Sequence, residues 1–183
     1  SRLIAILREA GDTVRIDANE RRIHVATNGS DYELPSEDAA TFADFAEPDE
    51  GEPSWKLQAD KLSQAITQVS FAAAREEGKY AMRGVLWDMK DKTATLVATD
   101  GKRLAVGTVP VGVYGEPAPI SANVSVKAMQ LLERILADTD AGSPVSVTLR
   151  TNDAIFRTDA ATIYSRLVEG NFPPYRSVIP KKA

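Results

Sequence analysis

Hydrophobic and polar residues alternate in two rhythms along the chain, and these rhythms predict helices and strands. The first ten residues carry leucine and isoleucine at helical spacing, and Gly11 follows as a stop signal, so we predict a helix over 2–10. Three runs that alternate with period two come next, over 14–17, 23–26 and 31–34, and predict strands. The chain therefore opens with a helix and three strands.

A second region follows an acidic segment, 46–53, whose prolines and glycine predict a linker. A short strand over 55–57 precedes a helix predicted over 60–76, where apolar residues recur three or four positions apart. Asp60 is expected to cap this helix and to favour the positive end of its dipole.

The rest of the second region is predicted to be mostly strand. A second apolar stripe at helical spacing predicts a helix over 127–138, and the prolines within 110–119 predict a loop. The remaining strands are predicted over 82–89, 93–99, 102–109, 145–149, 154–157 and 162–168, with a strand end at 124–126.

The order of the predicted elements repeats. A helix followed by three strands occurs twice at an offset of roughly 130 residues, which pairs Asn19 with Asn152 and suits a duplicated domain. Within 54–183 the order strand, helix, three strands also occurs twice. We therefore predict an α+β fold in which 54–183 form a domain of two βαβββ halves and 1–45 the later half of another.

Composition excludes several classes of protein. The 183 residues include no cysteine, which excludes disulfides and fits a cytosolic protein. No apolar run of about 18 residues predicts a transmembrane helix, and no secretory leader opens the sequence. The net charge of −4 argues against a uniformly basic nucleic-acid binder, but it allows a locally basic face.

Catalytic side chains are few. His24 is the only histidine, and its place on an alternating strand points it towards solvent. Nucleophilic triads that need a further histidine or a cysteine, and His/Cys metal clusters, are therefore excluded. Glycine-rich phosphate loops are also absent from the sequence. The pattern favours a binding protein over an enzyme.

Cations collect on the predicted helices of the second region. Such a helical face can meet a phosphate backbone, although a lysine on a helix is more often simply solvated. The residues are Lys61, Arg75, Lys79, Lys127 and Arg134.

The run 95–106 contains an Asp-Gly pair between two β-rich segments, which is the strongest short-range signal for a hairpin with positive φ at both turn residues. Lys102 and Arg103 lie beside this turn, and the apolar Leu104 follows. A cationic corner beside an apolar patch predicts a docking site.

Two long motifs resemble signatures of the bacterial DNA polymerase III β subunit family, the sliding clamps. Residues 97–105, Val-Ala-Thr-Asp-Gly-Lys-Arg-Leu-Ala, resemble the family's A-T-D-G-H-R-L-A motif. Residues 165–175, Ser-Arg-Leu-Val-Glu-Gly-Asn-Phe-Pro-Pro-Tyr, resemble S-K-L-V-D-G-R-F-P-D-Y, and 83–86 resemble an N-G-M/V-L segment. Residues 1–45 look like the end of a first clamp domain and 54–183 like a complete second one.

The resemblance implies the DNA-clamp fold, with two helices packed on antiparallel sheets, and a non-catalytic processivity factor without a cofactor. In that family two head-to-tail protomers close a ring around duplex DNA, with the helices facing the DNA. The third domain is not in this sequence, so we expect no closed ring from these residues alone. The positions implied to approach DNA are Lys79, Tyr80 and Lys127, and Arg75 is added from its location.

The resemblance also implies a pocket for short linear peptides of DNA polymerase and clamp-loader subunits. The implied pocket residues are Met82, Thr99, Gly101, Lys102, Arg103, Leu104, Pro173 and Val178. Departures from the family pattern leave the affinity open, and they are Lys102 for histidine, Ser177 for arginine, Met82 for leucine and Pro174 for aspartate.

Two other functions remain open at this point. One is a clamp-like, peptide-binding hub that does not encircle DNA. The other is an enzyme on a clamp-like fold, against which the single histidine argues. Leu104 and Val178 are also open to interpretation as ordinary core residues.

Overall fold

The chain divides into two compact units, residues 1–46 and 47–183. The computed structural model describes residues 2–11, 13–41, 51–75, 80–115 and 117–179. The first unit contains α1 (Arg2–Glu9), β1 (Arg15–Ala18), β2 (Arg22–Ala26) and β3 (Asp31–Pro35). Its strands form an antiparallel sheet in the order β1-β2-β3, as the alternation predicts.

The second unit repeats one order of elements twice. Each half contains a strand, a helix and three strands, and a short strand that the sequence did not predict lies between the halves. The first half is β4 (Ser54–Gln58), α2 (Ala59–Ser70), β5 (Gly84–Lys90), β6 (Thr93–Thr99) and β7 (Leu104–Pro110). The extra strand is β8 (Gly112–Tyr114), and the second half is β9 (Ile120–Ser125), α3 (Val126–Ala137), β10 (Pro144–Leu149), β11 (Asp153–Arg157) and β12 (Thr162–Arg166).

The two halves exchange their first strands. One sheet has the order β12-β11-β10-β4-β8, so β4 of the first half pairs with β10 of the second, with Trp55 opposite Val147. The other sheet has the order β7-β6-β5-β9, so β9 pairs with β5, with Ala122 opposite Trp87. All of these pairings are antiparallel.

One hydrophobic core joins both sheets and both helices of the second unit. Leu62 and Ile66 of α2 and Met129 and Leu132 of α3 are fully buried in it. The rings of Trp87 on β5 and Phe156 on β11 lie 5.3 Å apart between their centres, which links the two sheets. Within the described residues, no helix is long and apolar enough to cross a membrane.

Helix α2 differs from its prediction at both ends. It ends at Ser70, not at 76, and Ala72 and Ala73 continue in turns whose amides donate to the carbonyls of Val69 and Ser70. These alanines are buried, so the helical spacing of apolar residues in the sequence continues past the end of the helix because the residues are buried, not because they are helical.

Asp60 does not cap α2, which corrects the predicted cap. The N-cap residue is Gln58, and Asp60 lies exposed in the first turn. The amides of Ala59 and Asp60 donate to the carbonyls of Ser143 and Ala141 at 3.0 and 3.1 Å, so backbone from a distant loop replaces the side-chain cap.

Candidate peptide pocket and helical face

The loop between β6 and β7 is built by one aspartate and one threonine. Thr99 pairs with Leu104, so the loop has four residues and not the predicted two, and only Gly101 takes a positive φ, of 87°. Asp100 Oδ1 accepts from the amides of Lys102 and Arg103 at 2.9 and 3.0 Å, and these bonds hold the pKa of Asp100 below its usual value of 3.8. The Asp100 carboxylate thus accepts hydrogen bonds from inside a four-residue loop, as aspartate does in Asx turns.

Thr99 closes the base of this loop. Its hydroxyl donates to the Arg103 carbonyl at 2.6 Å and accepts from the Gly101 amide at 3.1 Å. The hydroxyl is therefore engaged in hydrogen bonds within the loop, at a residue that also lines the cavity described below.

A second segment approaches the loop after β12. It contains a 3₁₀ turn over Tyr175–Ser177, in which Ser177 Oγ donates to the Pro174 carbonyl at 2.7 Å. Tyr175 is buried, whereas Val178 is 68% exposed. Val178 is therefore not an ordinary core residue.

The loop and this segment border one cavity of about 300 Å³. Its lining includes every residue predicted for the peptide pocket except Met82. Met82 lies close behind the loop, because a Cβ placed on Gly101 would be 4.0 Å from its sulfur. Among the described residues, the lining is Thr99, Gly101, Lys102, Arg103, Leu104, Pro173, Pro174, Tyr175, Ser177 and Val178.

Arg103 is fixed from two directions at the cavity. Its Nε donates to Asp100 Oδ2 at 3.1 Å, and its guanidinium carbon lies 5.6 Å from the centre of the Phe71 ring. Phe71 follows α2 and is 53% exposed. Phe71 was not among the predicted pocket residues, although it is a large aromatic residue outside the buried apolar stripe of α2.

The two helices present an exposed, mixed polar face. α2 and α3 pack against each other, and Lys61, Lys127 and Arg134 are exposed on them. Arg75, beyond α2, is exposed as well. Of the predicted DNA contacts, Lys79 and the side chain of Tyr80 lie outside what the structure describes, which leaves Arg75 and Lys127 as the two that are placed.

His24 is exposed on β2, with Nε2 3.7 Å from Asp31 Oδ1. No group of three His, Asp or Glu side chains among the described residues could hold a metal ion. The cavity between the 99–104 loop and the 173–178 segment has a volume at the lower end of the range of ligand sites and a lining of both apolar and cationic residues.

Comparison with known proteins places this architecture among the DNA sliding clamps. The Pseudomonas aeruginosa DnaN sliding clamp bound to griselimycin superposes with a TM-score of 0.81 at 28% identity, over 99% of this chain and 48% of that one. The Helicobacter pylori beta clamp bound to a DNA ligase peptide gives a TM-score of 0.80 at 24% identity, over 99% and 50%, and shows the fold alone.

The sequence comparisons agree with the fold. The family model for the central domain of the DNA polymerase III beta subunit matches residues 56–174, and the chain belongs to that family. The beta sliding clamp of Pseudomonas putida is 30% identical over 168 residues, which cover 92% of this chain and 45% of the relative. The chain thus spans about half the length of the relatives it matches.

Proposed function

We propose that this chain serves in a sliding clamp, a non-catalytic processivity factor that encircles duplex DNA and holds the replicative polymerase to it. Polymerase and clamp-loader subunits bind through short linear peptides, and two protomers lie head to tail in the complete ring. The observation that carries the proposal is the meeting of the 99–104 loop and the 173–178 segment at one open cavity. The family membership of residues 56–174 supports it.

The cavity suits an apolar peptide side chain. Half-buried Leu104 and Pro173 and the exposed Val178 offer apolar surface, while Lys102 and Arg103 place cations at the loop. Burying one valine side chain contributes roughly 1.5–3 kcal/mol. A few such contacts are sufficient for reversible binding of a short peptide.

Fluorescence anisotropy with a labelled Gln-Leu-x-Leu-Phe peptide tests the peptide site. The wild-type chain should bind, and Val178→Asp should weaken binding at least about tenfold because a charge replaces apolar contact. Val113→Asp is the matched control, since Val113 is 50% exposed on β8 and does not line the cavity. Equal affinities for both variants would contradict the assignment of the pocket.

The helical face is proposed to meet the DNA backbone without reading bases. Lys127 lies exposed in the first turn of α3, and Arg75 lies exposed after α2. Contacts to phosphates release counterions, so each one adds about 0.9 to the slope of log affinity against log salt. Few cations give weak binding, which is what a sliding contact requires.

Amide chemical shifts on adding a short DNA duplex at low salt test this face. Changes should fall on α2, α3 and Arg75, and Lys127→Glu should reduce both the affinity and the salt slope. Lys90→Glu, on the exposed end of β5, is the control and should change neither. Peptide binding without any DNA response would favour the hub function instead. Arg103→Ala separates the two activities, because it should weaken peptide binding and leave the DNA response unchanged.

A further inference from the structure

The pocket wall that carries Pro173 and Val178 is tied to the sheet at Asp88. This aspartate lies on β5 between Trp87 and Met89, which are both fully buried in the core. Side chains alternate along a strand, so Asp88 projects from the opposite face of the sheet. That face is where the 175–177 turn lies, as the hydrogen bonds to Asp88 show.

Three donors from two other elements converge on the Asp88 carboxylate. Ser121 Oγ on β9 donates to Oδ1 at 3.1 Å. The Tyr175 hydroxyl and Arg176 Nη2 donate to Oδ2 at 3.2 and 2.7 Å. Burial opposes ionisation of this carboxylate, but the hydrogen bonds from Arg176, Ser121 and Tyr175 together hold the pKa of Asp88 below its usual value of 3.8.

The segment that Asp88 holds lies between two cavities. Pro173, Pro174 and Tyr175 line the peptide cavity and also a larger cleft of about 1030 Å³. Close packing fixes the position of a buried element, and a wall between two cavities has less of that support. Its position therefore depends more heavily on directional bonds at its base.

Arg176 reinforces the same attachment from the surface. Its guanidinium carbon lies 5.4 Å from the centre of the Tyr175 ring, and its side chain is 70% exposed. Arg176 does not line the peptide cavity, so its contact with Asp88 acts on the wall from outside.

We infer that Asp88 is a positioning residue of the peptide pocket, which sets the Pro173–Val178 wall through Tyr175 and Arg176 without touching the peptide. The inference rests on the proposed peptide-binding function. It assigns the pocket a determinant on β5, 87 residues from Tyr175 in the sequence.

Peptide affinity measured by anisotropy for Asp88→Asn and Arg176→Ala tests the inference. Hydrogen bonds to a charged group are each worth enough that either change should weaken binding about tenfold. The double variant should bind no more weakly than Asp88→Asn alone, because the hydrogen bond of Arg176 to the wall's anchor is one of those that Asp88→Asn already changes. Asp91→Asn on the neighbouring turn is the matched control and should bind like wild type.

Two further readouts distinguish positioning from a general loss of structure. The pKa of Tyr175 is raised, first by burial and then by the Asp88 charge, so it should fall towards 10.0 in Asp88→Asn while the thermal midpoint stays within a few degrees. Arg176→Lys, which keeps a positive charge, should recover part of the affinity lost in Arg176→Ala.

The possible results separate the inference from the proposed function. No binding by the wild-type chain would overturn the proposed function itself. Wild-type affinity in both Asp88→Asn and Arg176→Ala, or fully additive losses in the double variant, would overturn the positioning role and leave peptide binding intact.

Discussion

The guanidinium of Arg103 lies 5.6 Å from the centre of the Phe71 ring, and this contact joins the end of α2 to the loop between β6 and β7. Arg103 also forms an ion pair with Asp100, so its side chain is held from both sides at the pocket. The helix that is proposed to face DNA and the loop that is proposed to bind peptides therefore meet at one residue pair.

Phe71→Ala should weaken peptide binding severalfold. A cation–π contact at an exposed site contributes about 0.5–1 kcal/mol, and without it Arg103 spends less time over the pocket. The free energy of unfolding should change by less than about 0.5 kcal/mol, since Phe71 is half exposed. Anisotropy and urea unfolding measure the two quantities. Leu131→Ala, which truncates an exposed apolar residue on α3, is the control. If Phe71→Ala bound the peptide as tightly as Leu131→Ala, the contact between Phe71 and Arg103 would have no influence on peptide binding.

Gly101→Ala should disturb the pocket loop more than its small size suggests. The φ of 87° at Gly101 is strained for any residue with a Cβ, at a cost of about 1–2 kcal/mol. Urea unfolding should show this loss together with weaker peptide binding. Gly101→Asn should lose less, because asparagine tolerates positive φ better than alanine does. Equal losses for the two variants would mean that the loop adopts another conformation in solution.

Gly84→Ala should destabilise the second unit by at least about 2 kcal/mol through overpacking. A Cβ there would overlap Asn123 Oδ1 and lie 2.8 Å from the Val124 carbonyl oxygen. Asn123 cannot move aside freely, because its Nδ2 donates to the Ala81 carbonyl at 2.7 Å. Thermal and urea unfolding measure the effect against Gly142→Ala, whose added Cβ meets nothing within 4 Å. A stability like that of the Gly142 variant would contradict the close approach of β5 and β9.

Asp88 should make folding sensitive to acid. Its pKa is lower in the folded chain than the usual 3.8, so its stabilising contribution is complete above the unfolded value and disappears as the pH falls through the folded value. The groups that face it, Arg176 and Tyr175, stay protonated over this range. Asp88→Asn should therefore lose less stability than wild type between about pH 5 and about pH 2, as measured by urea unfolding.

Asp100, whose pKa is also lowered, keeps part of this acid dependence in both proteins. Asp91→Asn provides the comparison for a simple loss of one carboxylate. A wild-type pH slope in Asp88→Asn would show that the cluster at Asp88 does not contribute to folding.

Sequence patterns predicted the elements of the second unit well where burial and periodicity coincide. The repeated βαβββ order is confirmed, because each strand and helix keeps one face in the common core. The pattern misled at the end of α2, where buried alanines continue the apolar spacing without continuing the helix. β8 was missed because its three residues are all exposed and show no alternation in burial.

The pocket was predictable only as far as its residues lie in continuous motifs. The lining residues from Thr99 to Leu104 and from Pro173 to Tyr175 lie in the two motifs, and Ser177 and Val178 follow the second motif directly. The contacts that hold those stretches in place come from elsewhere, such as Phe71 against Arg103 and Asp88 against Tyr175. No local rule connects residues so far apart, so these partners appear only in three dimensions.

The exchange of first strands between the two halves determines how the second unit folds and unfolds. Neither βαβββ half holds a complete sheet of its own, since β4 and β9 each complete the sheet of the other half. The duplicated halves therefore cannot act as two small independent domains. They form one cooperative folding unit, in which both sheets are completed only when strands far apart in the sequence pair.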